Sequence, residues 1–355
     1  LEGLGLSDQF WAGRSVFLTG HTGFKGGWLA LWLAQKGAQV HGYALPAEQA
    51  GGVYATCNVA SRLAGETLAD IRDEQALRYA LKQAKPEVVL HLAAQPLVRA
   101  SYNDPTETMS TNVMGLVSVF EAIRACDSVH AVVNVTSDKC YENREWVWPY
   151  RENEALGGHD PYSASKACAE IITSSYRSSF FASGGPSVAT ARAGNVIGGG
   201  DCAEDRLLPD FLRAVQTGEP LTIRNPDATR PWQHVLDPLS GYLSLAEALV
   251  EQGNAFAEAW NFGPGPQDIM KVSEIADTLC AKLPRASWGL TGEVHPKEAQ
   301  SLALDSSKAR ARLGWSGRWT IDTALARVLD WHIAWTSGAD MADVTLEQIA
   351  EYEAT

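Results

Sequence analysis

Basic residues are scarce in this chain. Lys and Arg number 29 against 42 Asp and Glu, which gives a formal charge of −13 and a pI near 5.1. That balance excludes a general binder of nucleic-acid backbones, and it requires any anionic ligand to be held by a few placed cations. Cysteine is sparse too: Cys57, Cys126, Cys140, Cys168, Cys202 and Cys280 are scattered, with no C-x-x-C. This argues against a zinc ribbon or a disulfide framework and predicts free thiols in a reducing, cytoplasmic compartment. The histidines show no metal-ligand spacing, so no metal is expected. No run approaches the ~18 apolar residues of a membrane span, and no basic stretch followed by an apolar one marks an export signal. Internal repeats and low-complexity tracts are likewise missing.

What is present is a regular alternation. Val16–Leu18 is a short apolar run stopped by a glycine-bearing turn. WLALWLAQKGA follows at helical spacing, and AQVHGYAL reads as a second strand closed by Pro46. Further along, DEQALRYALKQAKP predicts a helix, EVVLHLAA a buried strand, TNVMGLVSVFEAIRAC a helix and HAVVNVTS a strand. DPYSASKACAEIITSSYRSSF predicts another helix before SVATARAGNVIG returns to strand. Strands alternating with helices predict an α/β fold, a doubly wound parallel sheet of the Rossmann type covered on both faces. Beyond Gly198 the pattern loosens and Trp and Pro become frequent. At 355 residues the chain exceeds the ~250–300 at which single cores stop growing. We therefore divide it into residues 1–197, a dinucleotide-binding domain, and 198–355, mainly a smaller substrate lobe with some chain crossing back.

Two patterns carry chemistry. Gly20, Gly23 and Gly26 form G-x-x-G-x-x-G between the first strand and helix, a turn that lets backbone N–H groups approach a pyrophosphate. Thr22, Phe24 and Lys25 lie inside it, and Lys25 either contacts phosphate or only caps the helix. The second strand offers no acid for an adenosine ribose and no cation for a 2′-phosphate, so NAD is preferred to NADP on weak ground. Asp70-Ile71 is a candidate adenine-contacting pair. The second pattern is Tyr162 and Lys166, a phenol and an ammonium one helical turn apart. A nearby cation lowers a tyrosine's pKa and suits it to take a proton from an alcohol. Thr136-Ser137 lies at the carboxyl end of a preceding strand, the edge where such sheets bind ligands.

Glycine turn, strand-end serine and Y-x-x-x-K in this order resemble the extended short-chain dehydrogenase/reductases, in their nucleotide-sugar branch. GHTGFKGGWL, LAAQPLVRASY, TSDKCYEN, PYSASKACAE, RAGNVIGGGD and RPWQHVLDPLSGYL carry the resemblance, which spans Arg14 to Trp335. It implies NAD as cofactor, with Leu92, Ala93 and Ala94 beside it. It also implies a nucleotide sugar as substrate, CDP-glucose in particular, and deoxysugar synthesis for cell-surface polysaccharide. Homo-oligomers, dimers or tetramers, are common in the family. Its 4,6-dehydratases carry an Asp-Glu pair after the serine, acid to the C6 hydroxyl and base at C5. Here Asp138 is followed by Lys139, as in CDP-linked members. Lys139 is then either the base, if its pKa is pulled down, or an electrostatic stabiliser of the enolate. Gln95, Tyr102 and Asn195 are candidate substrate contacts. Arg230 and His234 are candidates for the diphosphate, with Arg206 a second anchor or a surface residue. A 4-epimerase shares the fold, the cofactor and the Tyr/Lys pair, but needs no Asp138-Lys139.

Overall fold

In this computed structural model residues 8–47, 51–283, 286–290 and 299–355 are described. Seven strands form one parallel sheet: β1 (Ser15–Thr19), β2 (Gln39–Ala44), β3 (Gly65–Leu68), β4 (Val88–His91), β5 (Ala131–Val135), β6 (Ser187–Ala193) and β10 (Ala259–Phe262). Their order is β10-β6-β5-β4-β1-β2-β3. The direction of winding reverses between β1 and β4, where a crevice opens at the carboxyl ends of the strands.

The strands are apolar on both faces because both faces are covered. In β1, Val16 and Leu18 join one core and Phe17 the other. Val88, Leu90, Ala131 and Val133 follow the first pair, whereas Val89 and Val132 follow Phe17. This period of two is the pleat itself. The first core is closed by the helices Phe24–Gln35, Leu236–Gln252 and Met341–Ala354, which bring in Trp28, Trp32, Leu239 and Tyr352. The second is closed by Glu74–Ala84, Gly115–Arg124 and Pro161–Tyr176. Asp73 and Asp160 cap the first and last of these, each accepting from backbone N–H groups of the first turn.

The remaining strands are short. β7 (Asn195–Ile197), β9 (Thr229–His234) and β11 (Ile269–Lys271) make a three-stranded sheet, and β8 (Leu221–Ile223) pairs with β12 (Trp288–Leu290). With Leu207–Thr217, Val272–Lys282 and Ile321–Thr336 they enclose a separate core around Phe211, Trp232 and Leu279. The sequence after residue 197 does not all stay there. Residues 236–262 return to the large sheet, giving it a covering helix and the edge strand β10. Among the described residues no helix is long and apolar enough to cross a membrane.

One buried ion pair ties the helix Pro161–Tyr176 to the sheet. Arg192 of β6 meets Glu170 through Nε at 2.9 Å and Nη2 at 2.7 Å, and both side chains are 3% exposed. Thr136 and Thr190 donate to the same carboxylate at 2.5 and 2.7 Å. Removing one partner of such a pair strands the other charge in the core, at a cost of about 3–5 kcal/mol. Glu170→Ala is therefore expected to lower the unfolding free energy by about that amount, read from denaturant titration, whereas a change under ~1 kcal/mol would refute the reading.

Candidate active site

A cleft of about 740 Å³ runs across the carboxyl ends of β1, β4 and β5 and down to β7, β8 and β9. Its floor is the glycine turn. Gly20 sits at φ +80, and a Cβ there would lie 2.8 Å from the Ala93 nitrogen; one on Gly26 would lie 2.0 Å from the Gly20 carbonyl oxygen. Only glycine lets this turn close against the exit of β4. The helix beginning at Phe24 has no side-chain cap from Gly23, so its first N–H groups are left for a ligand at the N-terminus. Lys25 reaches into the same cleft. Burial, then Arg206 and Lys166, pull its ammonium down to about 7.

The cofactor residues expected from the sequence are brought together: Gly20, Thr22, Gly23, Phe24, Lys25, Gly26, Asp70, Ile71, Leu92, Ala93 and Ala94 all line the cleft. Thr22 donates to the Leu45 carbonyl at 2.9 Å, fixing the end of β2 against the turn. Asp70 is engaged by Arg72, whose Nε and Nη2 reach it at 2.9 and 2.5 Å, and Arg72 also meets Glu107 at 2.6 Å. Two carboxylates therefore already engage Arg72.

The catalytic candidates meet on the opposite wall. Ser137, Asp138, Lys139, Tyr162 and Lys166 all face the cleft. Ser137 follows β5, and its hydroxyl donates to Asp138 Oδ1 at 2.9 Å while accepting from the Lys139 N–H at 3.2 Å. The other oxygen, Asp138 Oδ2, is buried with no hydrogen-bond partner. Burial raises the Asp138 pKa against the pull of Lys139 and the Ser137 hydroxyl. The carboxyl thus has a raised pKa and an oxygen to offer a ligand.

Tyr162 departs from expectation in one respect. Burial pushes its phenol up to about 12, and the Ser137 hydroxyl and Arg206 only partly offset this. Lys166, itself lowered to about 8 by burial, donates to the Val135 carbonyl at 3.3 Å. Desolvation therefore outweighs the cationic surroundings of the phenol.

Asn195, Arg206 and Arg230 also line the cleft, with Arg206 held by Asp201 Oδ2 at 2.9 Å. Gln95, Tyr102 and His234 do not line it. Gln95 turns back to accept from the Leu97 N–H at 2.5 Å and to donate to Thr108 at 2.8 Å. Tyr102 is 39% exposed on the short helix Val98–Asn103. His234 is fully buried between Trp28 and Trp319, where burial pulls its imidazole down to about 3. A neutral ring in the core is not a phosphate ligand, so that assignment is corrected. Sequence reasoning passed over Arg99, Asp205 and Arg224, which the fold brings to the cleft. Arg99 lay within a quoted motif, but Arg224 follows a three-residue strand that gave no pattern.

Comparison with known proteins agrees with this geometry. The family model described as GDP-mannose 4,6 dehydratase matches residues 17–328. A CDP-glucose 4,6-dehydratase of Salmonella typhimurium is 50% identical over 353 residues, 98% of each chain. A dTDP-glucose 4,6-dehydratase of that organism is 25% identical over 75% of this chain and 78% of its own. Among solved structures, an epimerase of Methanothermobacter thermautotrophicus has a TM-score of 0.80 at 23% identity, covering 93% of this chain and 95% of that one. A dTDP-glucose 4,6-dehydratase of Streptomyces venezuelae, with NAD bound, has a TM-score of 0.76 at 22% identity, covering 92% and 99%.

The two lysines give the cleft a pH dependence. Both have lowered pKa values, so their charge is present at low pH and is lost as pH rises through about 7 for Lys25 and about 8 for Lys166. Affinity for a dinucleotide pyrophosphate is expected to fall progressively between about pH 6 and about pH 9. Titration with NAD across that range checks it. Lys25→Arg should move the fall to higher pH, and an unchanged profile in that variant would count against the assignment.

Proposed function

The chain belongs to the GDP-mannose 4,6 dehydratase family, and we propose that within it the protein converts CDP-glucose into CDP-4-keto-6-deoxyglucose and water. The observation that carries the elimination is Asp138, a buried carboxyl with one unpartnered oxygen and a raised pKa. A simple oxidation or a 4-epimerisation needs no such acid. The likeness over 98% of both chains supports CDP-glucose over other nucleotide sugars.

NAD, when bound, supplies the hydride acceptor for C4 and returns the hydride to C6, so none is consumed overall. The glycine turn and the uncapped helix start at Phe24 hold its pyrophosphate. Asp70 and Ile71 would lie beside its adenine, and Leu92, Ala93 and Ala94 would also contact it. On the substrate side, Tyr162 takes the C4 hydroxyl proton, with Ser137 positioning that hydroxyl and Lys166 the cation behind the helix. Oxidation at C4 makes the C5 proton acidic because it lies α to a carbonyl. Lys139 removes that proton or stabilises the enolate, while Asp138 protonates the departing C6 oxygen. Asn195, Arg206 and Arg230 hold the nucleotide sugar against the lobe of residues 198–355.

We further place the enzyme in the cytoplasm, as a homo-oligomer in deoxysugar synthesis for cell-surface polysaccharide such as O-antigen. Met114, Ile171 and Phe180 support association: they are apolar and 47–57% exposed, on the Tyr/Lys helix or beside it.

Incubation with CDP-glucose and NAD is expected to yield a 4-keto-6-deoxy product with no net reduced cofactor; steady accumulation of NADH, or the 4-epimer, would refute the assignment. Asp138→Asn should lower kcat by roughly 10²–10⁴, the usual contribution of a general acid. It should also let reduced nicotinamide absorbance appear, because oxidation at C4 no longer leads on to elimination. Lys139→Ala then separates the two roles, since a true base is required for exchange of the C5 proton with solvent.

A further inference from the structure

Asp205 holds two arginines at once on the wall of the cleft. Arg99 Nη1 reaches Asp205 Oδ1 at 2.6 Å from the helix that follows β4. Arg224 Nη1 reaches the same oxygen at 2.5 Å from the end of β8, and its Nη2 takes the Asp205 carbonyl at 3.1 Å. All three residues line the cleft. One oxygen therefore joins the large-sheet part of the chain to the second lobe. The residue that does this is unusual in its backbone, at φ 62, a left-handed conformation that Asp and Asn tolerate better than most side chains.

The charges here do not balance. Two guanidiniums share one carboxylate, which leaves one positive charge over at the wall of a cleft in a protein of net charge −13. The arginines are also held unequally: Arg224 by two oxygens of Asp205, Arg99 by one. The three side chains are 26–36% exposed, so these are pairs that solvent weakens and a better anion displaces. A diphosphate offers several oxygens and more charge than one carboxylate, in the geometry that guanidinium groups match best.

We propose that Asp205 stands in for the substrate's diphosphate, holding Arg99 ready, and that the phosphate takes Arg99 from it on binding while Arg224 stays as the anchor. Asp205 is thus an internal competitor that presets two cations and sets the affinity for the nucleotide. This rests on the reading that the cleft takes a nucleotide sugar.

The test is calorimetric titration of the NAD-loaded protein with CDP, inorganic pyrophosphate and cytidine, the bound cofactor keeping pyrophosphate out of the glycine turn. Asp205→Asn tolerates the left-handed backbone and is expected to tighten CDP and pyrophosphate by roughly threefold, the worth of one half-exposed ion pair, and to leave cytidine unchanged. Asp205→Gly, which keeps the backbone and lacks the carboxylate, should do the same. Arg99→Ala should weaken both phosphate ligands, and in that background Asp205→Asn should bring no tightening. Tightening is a result that mere damage to the loop does not produce. Weaker binding in both Asp205 variants, a gain that extends to cytidine, or a gain that survives loss of Arg99 would each overturn the proposal. If CDP-glucose is not turned over but the pyrophosphate shift is seen, the reading of the reaction fails and this one stands.

Discussion

The pair of Glu170 and Arg192 is the contact on which the active site depends. It joins three pieces that sequence keeps apart: the helix carrying Tyr162 and Lys166, the end of β5 at Thr136, and β6 with Thr190. Four donated hydrogen bonds saturate the carboxylate, which is what makes a charge at this depth tolerable. Despite burial, which pushes the other way, Arg192 and the two threonines hold the Glu170 pKa below its usual value. Arg192 extends the network to the Tyr141 hydroxyl at 2.7 Å, and Tyr141 donates to Asn261 of β10 at 2.8 Å. The edge strand contributed late in the sequence is thereby locked to the residues just after Ser137-Asp138-Lys139. Glu170 also lies one helical turn beyond Lys166, and its charge offsets part of the burial that lowers the lysine. A structural pair thus bears on the electrostatics of the lysine proposed for catalysis.

An acidic protein that binds anions has to separate its local field from its overall charge. Here this is done with tethers. Arg206 leans on Asp201, Arg99 and Arg224 on Asp205, and Arg213 on Asp210 beside the same wall. Each aspartate fixes a guanidinium that would otherwise wander or repel its neighbours. The field is strong only at short range, since beyond about 10 Å salt screens it. The cleft can therefore hold a diphosphate while the surface stays negative.

Much of this was legible in the sequence because period and position carry it. Short apolar strands alternating with helices announced a sheet covered on both sides, and Gly20, Gly23 and Gly26 announced the turn that forms the floor of the cleft. What escaped was decided by distance along a strand or by a side chain's local preference. Arg230 and His234 share a face of β9 by the period of two, so a motif reading treats them alike. At about 3.3 Å per residue they lie roughly 13 Å apart, and His234 has passed out of the cleft and under Trp28 and Trp319. Gln95 points to substrate only if its amide has no nearer partner. The Leu97 N–H and the Thr108 hydroxyl are nearer. Asp205 gave no signal at all, since two arginines from distant segments meet it only in the folded chain.

Burial displaces the ionisable groups of the cleft toward their neutral forms: Asp138 and Tyr162 upward, Lys25 and Lys166 downward. For the acid this is the useful direction, because a raised pKa suits a proton donor and Oδ2 is unpartnered. For Tyr162 it is not, since a phenol near 12 is almost wholly protonated at neutral pH and offers little phenolate to accept an alcohol proton. The cations around it, Arg206 among them, cannot undo the desolvation alone. The low dielectric that raises the phenol also magnifies any positive charge brought against it. The oxidation and the elimination therefore make opposite demands on one buried cleft. Burial moves Asp138 toward its part in the elimination and Tyr162 away from its part in the oxidation.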